Sequence, residues 1–273
     1  MVKICERFAS SKNLLFRTNS NPEKSKTKCI VFSRKVQDRS EVLPVLLNGN
    51  PLPWVAKLKH LGNILESSNS MQQDCSVKRG KFIGKINSLR QEFHFADPSI
   101  QIKLLNIYTT SFYGSCLWEV FGHDCERFYT SWNIAVRNVF NLPWTTHRYW
   151  IEAISNSIHP KVMLCARYVK FHKTLTSSKK DSVRFLSRLV EEDLRTRFGQ
   201  TLSNIRRECQ VELNSELSPS LVKNVMKYQK FPENEHCRTE PLGELLQVRD
   251  GQLELATFTY DEIKTMLEFL CTS

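Results

Sequence analysis

From residue 71 onward the apolar residues of this chain recur at helical spacing, and before residue 71 they mostly do not. That change of period allows a helical body carrying a small β element at one end and little else, because a 3.6-residue repeat gives each segment one buried face. In 77–95 the apolar set Phe82, Ile83, Ile86, Leu89 and Phe93 marks one face of a helix. Lys78, Lys81 and Lys85 form a single basic stripe beside it. The spacing predicts Phe82, Ile86, Leu89 and Phe93 buried and the three lysines exposed together. Asp97-Pro98 reads as an N-cap with proline at the first helical position, opening a helix to about Val120. Leu105, Tyr108, Phe112 and Cys116 would share its buried face. Further helices are expected at 124–141, 146–157, 160–177, 181–198, 201–212 and 218–230, and Thr259-Tyr-Asp-Glu262 is a capping box for a last helix to about Leu270.

The first 70 residues read differently. Residues 2–16 suit a short amphipathic helix, broken by Asn19-Ser-Asn-Pro22. Lys28-Cys-Ile-Val-Phe32 is a β-type run, followed by a polar loop at 33–41. Val45-Leu-Leu-Asn-Gly-Asn-Pro-Leu52 is a hairpin signal, because Asn48-Gly49 suits the positive φ angles of a two-residue turn. Leu58–Gly62 with Ile64-Leu65 forms another short strand-like piece, and nothing later resembles sheet until a weak stretch at Leu253–Thr259. The expected fold class is therefore mainly α, with a small antiparallel β element at the N-terminus. The expected regions are 1–70, 71–145 and 146–230, then 231–273, where 231–252 is a charged linker before the last helix.

Apolar residues make up 41% of the 273, enough for a packed core, and no apolar run approaches the roughly 18 residues of a membrane span. Met1-Val-Lys-Ile-Cys-Glu-Arg7 starts no apolar signal region, and the nine cysteines contain no C-x-x-C pair. The expectation is a reduced intracellular protein, nuclear or cytoplasmic, neither secreted nor membrane-bound. Charge is uneven: residues 1–100 carry 17 Lys and Arg against 8 Asp and Glu, 101–200 carry 14 against 8, and 201–273 carry 8 against 12. The first two stretches suit a polyanion and the last does not. Residues 108–150 hold 12 of the 28 Phe, Tyr and Trp residues. Rings at helical spacing read first as the core of a bundle; the other reading, a base-stacking surface, would set exposed rings beside Arg127, Arg137 and Arg148.

Catalytic constellations are sparse. The chain has no phosphate-binding glycine loop, no G-x-S-x-G and no H-E-x-x-H. Cys116, His123 and Cys125 have the wrong spacing for a standard zinc site and lack a fourth ligand. Glu191-Glu-Asp193 reads as a solvated helix face, and His159, His172 and His236 read as ordinary residues.

The order of the N-terminal pieces is more specific. A helix leads into Asn21-Pro22-Glu23-Lys24-Ser25-Lys26, then Cys29-Ile-Val-Phe32, then the hairpin around Asn48-Gly49, then Leu58-Lys-His-Leu-Gly62, then a basic helix. Tyr113-Gly-x-x-x-Trp118 and Arg137-Asn-Val-Phe-Asn-Leu-Pro143-x-Thr145 follow. Over about residues 1–175 this resembles the end of the palm and the thumb of reverse transcriptases from non-LTR (LINE-type, jockey-like) retrotransposons, with His60 where the family carries an aromatic residue. The resemblance implies that Lys24 is a remnant of a palm lysine near the incoming triphosphate. It further implies that Lys59, His60 and Gly62 belong to a primer-gripping hairpin and that Lys78, Lys81 and Lys85 face a template–primer backbone. Such phosphate contacts are blind to sequence and sensitive to salt.

The family's polymerases hold two Mg²⁺ ions on Asp motifs N-terminal to the N-P-x-K-S segment; this chain contains no Asp-Asp pair. The implied function is therefore a fragment or degenerate remnant of an RNA-directed DNA polymerase. It would be no enzyme as the chain stands and hold no cofactor of its own. Its possible partners are an RNA, DNA or hybrid duplex and the missing fingers and palm. The alternative is a helical protein–protein interaction module built from residues 100–230.

Overall fold

A computed structural model describes residues 2–16, 18–19, 21, 23–32, 42–68, 70–146, 148–155, 157–212, 215–228, 246–249 and 252–255. The protein is mainly helical with small antiparallel strand pairs, and it divides into two compact units, Met1–Val77 and Lys78–Ser273.

The first unit opens with α1 (Val2–Ser11). It ends at Ser11 rather than continuing to 16 because Asn13 takes a left-handed conformation, φ 52°. The Leu14 and Asn13 amides then close back on the Ala9 and Ser10 carbonyls at 2.9 and 3.2 Å, the Schellman arrangement that satisfies orphaned helix-end acceptors. The Asn48-Gly49 turn joins β1 (Leu46–Leu47) to β2 (Asn50–Pro51), with Asn48 at φ 51° and Gly49 at φ 77°. Both signs are those the dipeptide demands. A second hairpin pairs β3 (Lys57–His60) with β4 (Asn63–Glu66) in the register Leu58↔Leu65, and its turn, Leu61-Gly62, also has two positive φ angles, 46° and 81°. The run at Cys29 forms no strand: it makes one parallel bridge, Cys29 to Trp54, with the Cys29 amide on the Pro53 carbonyl at 3.0 Å. Pro51 and Pro53 have no amide hydrogen, so the segment opposite cannot extend a ladder. The polar loop expected at 33–41 lies outside the described residues.

Helix α2 (Gln72–Glu92) begins in the first unit and continues into the second. Phe82 and Ile86 are buried as the spacing requires, whereas Leu89 and Phe93 are only half-buried. Asp97 caps α3 (Pro98–Thr109), its carboxylate accepting the Ser99 amide at 2.7 Å. The helix stops at Thr109, well short of Val120. The Thr109 and Thr110 hydroxyls turn back onto the Leu105 and Asn106 carbonyls, and Arg167 donates to the carbonyls of Ser111 and Thr110 at 2.6 and 2.9 Å. These bonds take up helix-end acceptors. Phe112 (φ 36°) and Gly114 (φ 75°) then redirect the chain into a short 3₁₀ turn, Ser115–Leu117. Phe112 is consequently buried from outside the helix, while Tyr108 faces solvent and Cys116 is half-buried.

The remaining helices are α4 (His123–Val139), α5 (Arg148–Ser155), α6 (Pro160–Thr176), α7 (Asp181–Glu192), α8 (Arg197–Glu208) and α9 (Pro219–Tyr228). The helix expected over 181–198 ends earlier, at Glu192, and the one expected over 201–212 begins earlier, at Arg197, because the chain turns between them at Asp193 and Thr196. α6 is the centre: it packs on α4, α7, α9 and the 3₁₀ turn, and it buries Val162, Leu164, Cys165, Ala166, Tyr168 and Val169. Most of the described aromatic residues of the 108–150 stretch are core. Phe128 sits among Phe82, Phe112 and Trp118 with ring centroids at 4.7, 5.0 and 6.0 Å. In a third antiparallel pair, β5 (Leu246–Arg249) falls in the expected linker, and its partner β6 (Gln252–Leu255) overlaps the weak sheet-like stretch that begins at Leu253. The alternation of Leu246, Val248, Leu253 and Leu255 around Asp250-Gly251 is the sequence basis for it. The helix expected from Thr259 to Leu270 lies outside the described residues.

Candidate nucleic-acid interface

The residues singled out for phosphate contact fall into two sets, one in each unit. In the first unit, Asn21 organises the segment that presents Lys24: its side-chain oxygen accepts the Glu23 amide at 2.8 Å, and its carbonyl accepts the Lys24 and Ser25 amides at 3.2 and 3.0 Å. Ser25 is buried and its hydroxyl donates to the Thr27 carbonyl at 2.6 Å, which anchors the turn and leaves Lys24 exposed. Lys59, His60 and Gly62 lie at the tip of the β3–β4 hairpin, all exposed. Its Lys57–Glu66 cross-strand pair closes at 3.7 Å. Asp74, which carried no signal in the sequence, is the residue that positions this hairpin. It is buried at the start of α2 and accepts the Ile64 amide at 2.9 Å.

In the second unit the α2 lysines are not equivalent. Lys81 is exposed. Lys78 is half-buried, its ammonium 5.6 Å from the Trp118 ring centroid. Lys85 is exposed but donates to the Tyr108 carbonyl at 3.0 Å. The expectation of three lysines equally open to solvent is therefore corrected. The stripe borders the buried face so closely that the Lys78 ammonium stands over the Trp118 ring, a cation–π contact at the edge of the core. Arg79, on the same helix, is held by the Ser131 hydroxyl at 2.9 Å.

Two of the three arginines named for a base-stacking surface serve other ends. Arg137 donates to the Thr146 carbonyl through Nε and Nη2 at 3.2 and 2.7 Å, and Arg148 pairs with Glu152 at 3.1 Å. Arg127 is exposed, and so are the rings of Trp144, Tyr113 and Tyr108. Glu191 is not on a solvated face: it receives His172 at 2.9 Å and Arg206 at 3.3 Å, joining α6, α7 and α8. Burial pushes the Cys165 thiol and the Tyr168 phenol each up to about 12, which leaves both protonated and unreactive at neutral pH. Among the described residues no group of three His, Cys, Asp or Glu side chains could hold a metal ion, and no helix is long and apolar enough to cross a membrane.

Comparison with family models, with curated proteins and with solved structures found no match.

Proposed function

We propose that this chain is the end of the palm and the thumb of a non-LTR retrotransposon reverse transcriptase, a fragment or degenerate remnant that does not polymerise by itself and holds nucleic acid duplex without sequence preference. One observation carries the reading beyond the order of its motifs. Among the described residues of Met1–Val77 the buried apolar side chains are Ala9, Leu47, Leu52 and Cys75, while Ile4, Phe8, Leu15, Phe32, Leu43 and Leu46 are exposed. A unit of this size with so little core needs apolar surface from elsewhere to be stable. The rest of a palm would supply it. The two-metal site of the parent polymerases does not fit these residues, since the chain has no Asp-Asp pair and its described residues offer no carboxylate cluster. No catalytic step is derived for it.

Duplex binding is assigned to the α2 stripe. Replacing Lys78, Lys81 and Lys85 together by Gln keeps the stems and removes the charge. In a salt titration followed by fluorescence anisotropy, the native chain binds duplex at about 10⁻⁴–10⁻⁶ M near physiological salt, and the triple variant lowers the slope of log K against log salt by up to about three. The same change at the exposed Lys103, Lys170 and Lys223 serves as control. Equal effects of the two triple variants, or templated primer extension by the native chain with Mg²⁺ or Mn²⁺, would sink the proposal.

A further inference from the structure

The end of α3 carries an apolar surface that the core does not use. Ile102, Leu105 and Thr109 face inward, which leaves Ile107 and Tyr108 outside at 71 and 58% exposure. Tyr113, on the bend after the helix, is 62% exposed, while its neighbour Phe112 is buried. Single exposed rings are common on protein surfaces. The backbone beneath these two is unusual, because cations hold it. Lys85 of α2 donates to the Tyr108 carbonyl at 3.0 Å. Arg167 of α6 donates to the Thr110 and Ser111 carbonyls at 2.9 and 2.6 Å and stands 5.3 Å from the Phe112 ring centroid. A helix C-terminus ordinarily presents partial negative charge, which repels phosphate. Here two cations offset that charge and fix the backbone on which both tyrosines stand.

The three segments joined by these bonds are free of carboxylates. Residues 75–91 carry five Lys and Arg, 98–118 carry one and 160–180 carry six, and none of the three contains Asp or Glu. Lys81, Lys103 and Lys170 are exposed within them. Exposed rings set among cations suit a polyanion that also offers flat apolar faces. Base pairs inside a duplex cover one another's faces, so the ligand that offers them to a protein ring is an unpaired strand. We infer that Tyr108 and Tyr113 form a stacking platform for unpaired nucleotides, with Lys85 and Arg167, which keep further donors, beside the adjoining phosphates. Lys85 is also the last lysine of the α2 stripe, so the platform continues the surface assigned to duplex. The inference rests on that nucleic-acid reading and adds the form of the ligand, a duplex continued by a single strand. It places base stacking at the end of α3 and not at Arg137 and Arg148.

Fluorescence anisotropy on the full chain tests it with two probes, oligo(dT) of about 12 nucleotides and a blunt duplex. Tyr108→Leu with Tyr113→Leu keeps apolar bulk and removes the ring faces. It should weaken oligo(dT) binding about tenfold and leave the slope of log K against log salt unchanged, because no charge is lost. Blunt-duplex binding should stay at the native value. Tyr108→Phe with Tyr113→Phe retains the ring faces and should keep the native affinity for both probes. Both rings are exposed, so both variants should keep the native melt by circular dichroism. Native duplex binding together with oligo(dT) binding that ignores the Leu pair overturns the platform and leaves the nucleic-acid reading standing. Failure of the native chain to bind either probe at low salt overturns both. Equal losses for the Leu and Phe pairs overturn the platform as well, since the hydroxyls and not the ring faces would then make the contact. A dimer in sedimentation that the Leu pair dissolves, with oligo(dT) affinity unchanged, would assign the surface to a second copy instead.

Discussion

His159 stands at the N-cap of α6, where its Nδ1 accepts the Lys161 amide at 3.2 Å and its ring packs against Tyr129 and Trp132 at 5.4 and 5.2 Å. Burial, then the nearby Arg148 and Lys161 cations, hold it well below the usual 6.5, so the folded protein carries it neutral. The proton sits on Nε2, which is buried with no hydrogen-bond partner among the described residues. The unfolded chain binds a proton near pH 6.5 that the native state refuses. The stabilisation is therefore intact above that value and is lost as pH falls below it. Glu152, raised by burial, acts in the opposite sense in the carboxylate range, so the comparison must be with a variant that retains Glu152. His159→Asn supplies a capping oxygen and does not titrate. The thermal midpoint of the native chain should fall more between about pH 7.5 and 5.5 than that of the variant. Equal falls would refute the role. The sequence marks His159 only by the proline that follows it, the same sign that identified Asp97 before Pro98.

At the scale of elements, the helices stop for reasons that are partly local. α1, α4 and α8 are each followed by a left-handed residue, Asn13, Asn141 and Gln210, at φ 51–52°. In all three the next amide reaches back to a carbonyl five residues earlier. Asparagine tolerates this conformation and is a readable stop; Gln210 is not, and there the Arg206 guanidinium holds the chain beyond the turn by donating to the Ser215 carbonyl at 2.8 Å. The break between α7 and α8 has a sharper cause. The Thr196 hydroxyl accepts the Gly199 amide at 3.0 Å, and a Cβ on Gly199 would stand 2.6 Å from the Asp193 carbonyl oxygen and 2.9 Å from that of Val190. Both are backbone atoms, so the turn can close only over glycine. Gly199→Ala should cost about 1–3 kcal/mol in urea denaturation, in contrast to an ordinary helix position, where alanine is the more favourable residue. An unchanged midpoint would show that the turn opens freely. The continuous helical periodicity over 181–198 hid this break, because spacing reports which face is apolar and not where the chain must bend.

At the scale of the whole molecule, the acidic balance of residues 201–273, net −4, does not coincide with a structural boundary. α8 and α9 bury Leu202, Ile205, Val222 and Met226 in the second unit. Each fully buried side chain contributes about 1.5–3 kcal/mol. Together these are comparable with the entire stability of a domain. A chain ended at Gln200 should show no cooperative thermal transition, whereas one ended at Tyr228 should keep it, read by circular dichroism. A cooperative melt for the shorter chain would mean that α8 and α9 are peripheral.

Fold class, the two N-terminal hairpins, the N-cap of α3 and the buried pair Phe82 and Ile86 were determined by the sequence itself, because each depends on spacing or on backbone preference within a few residues. The tertiary structure alone decided what depends on distant partners. It set the end of α3 beneath Arg167, the fixing of β4 by Asp74, the capture of Glu191 by His172 and Arg206, and the unequal exposure of Lys78, Lys81 and Lys85. A charged side chain at the edge of an apolar face reads the same in sequence whether it meets solvent or an aromatic ring. Only the packing of Trp118 beside Lys78 distinguishes the two.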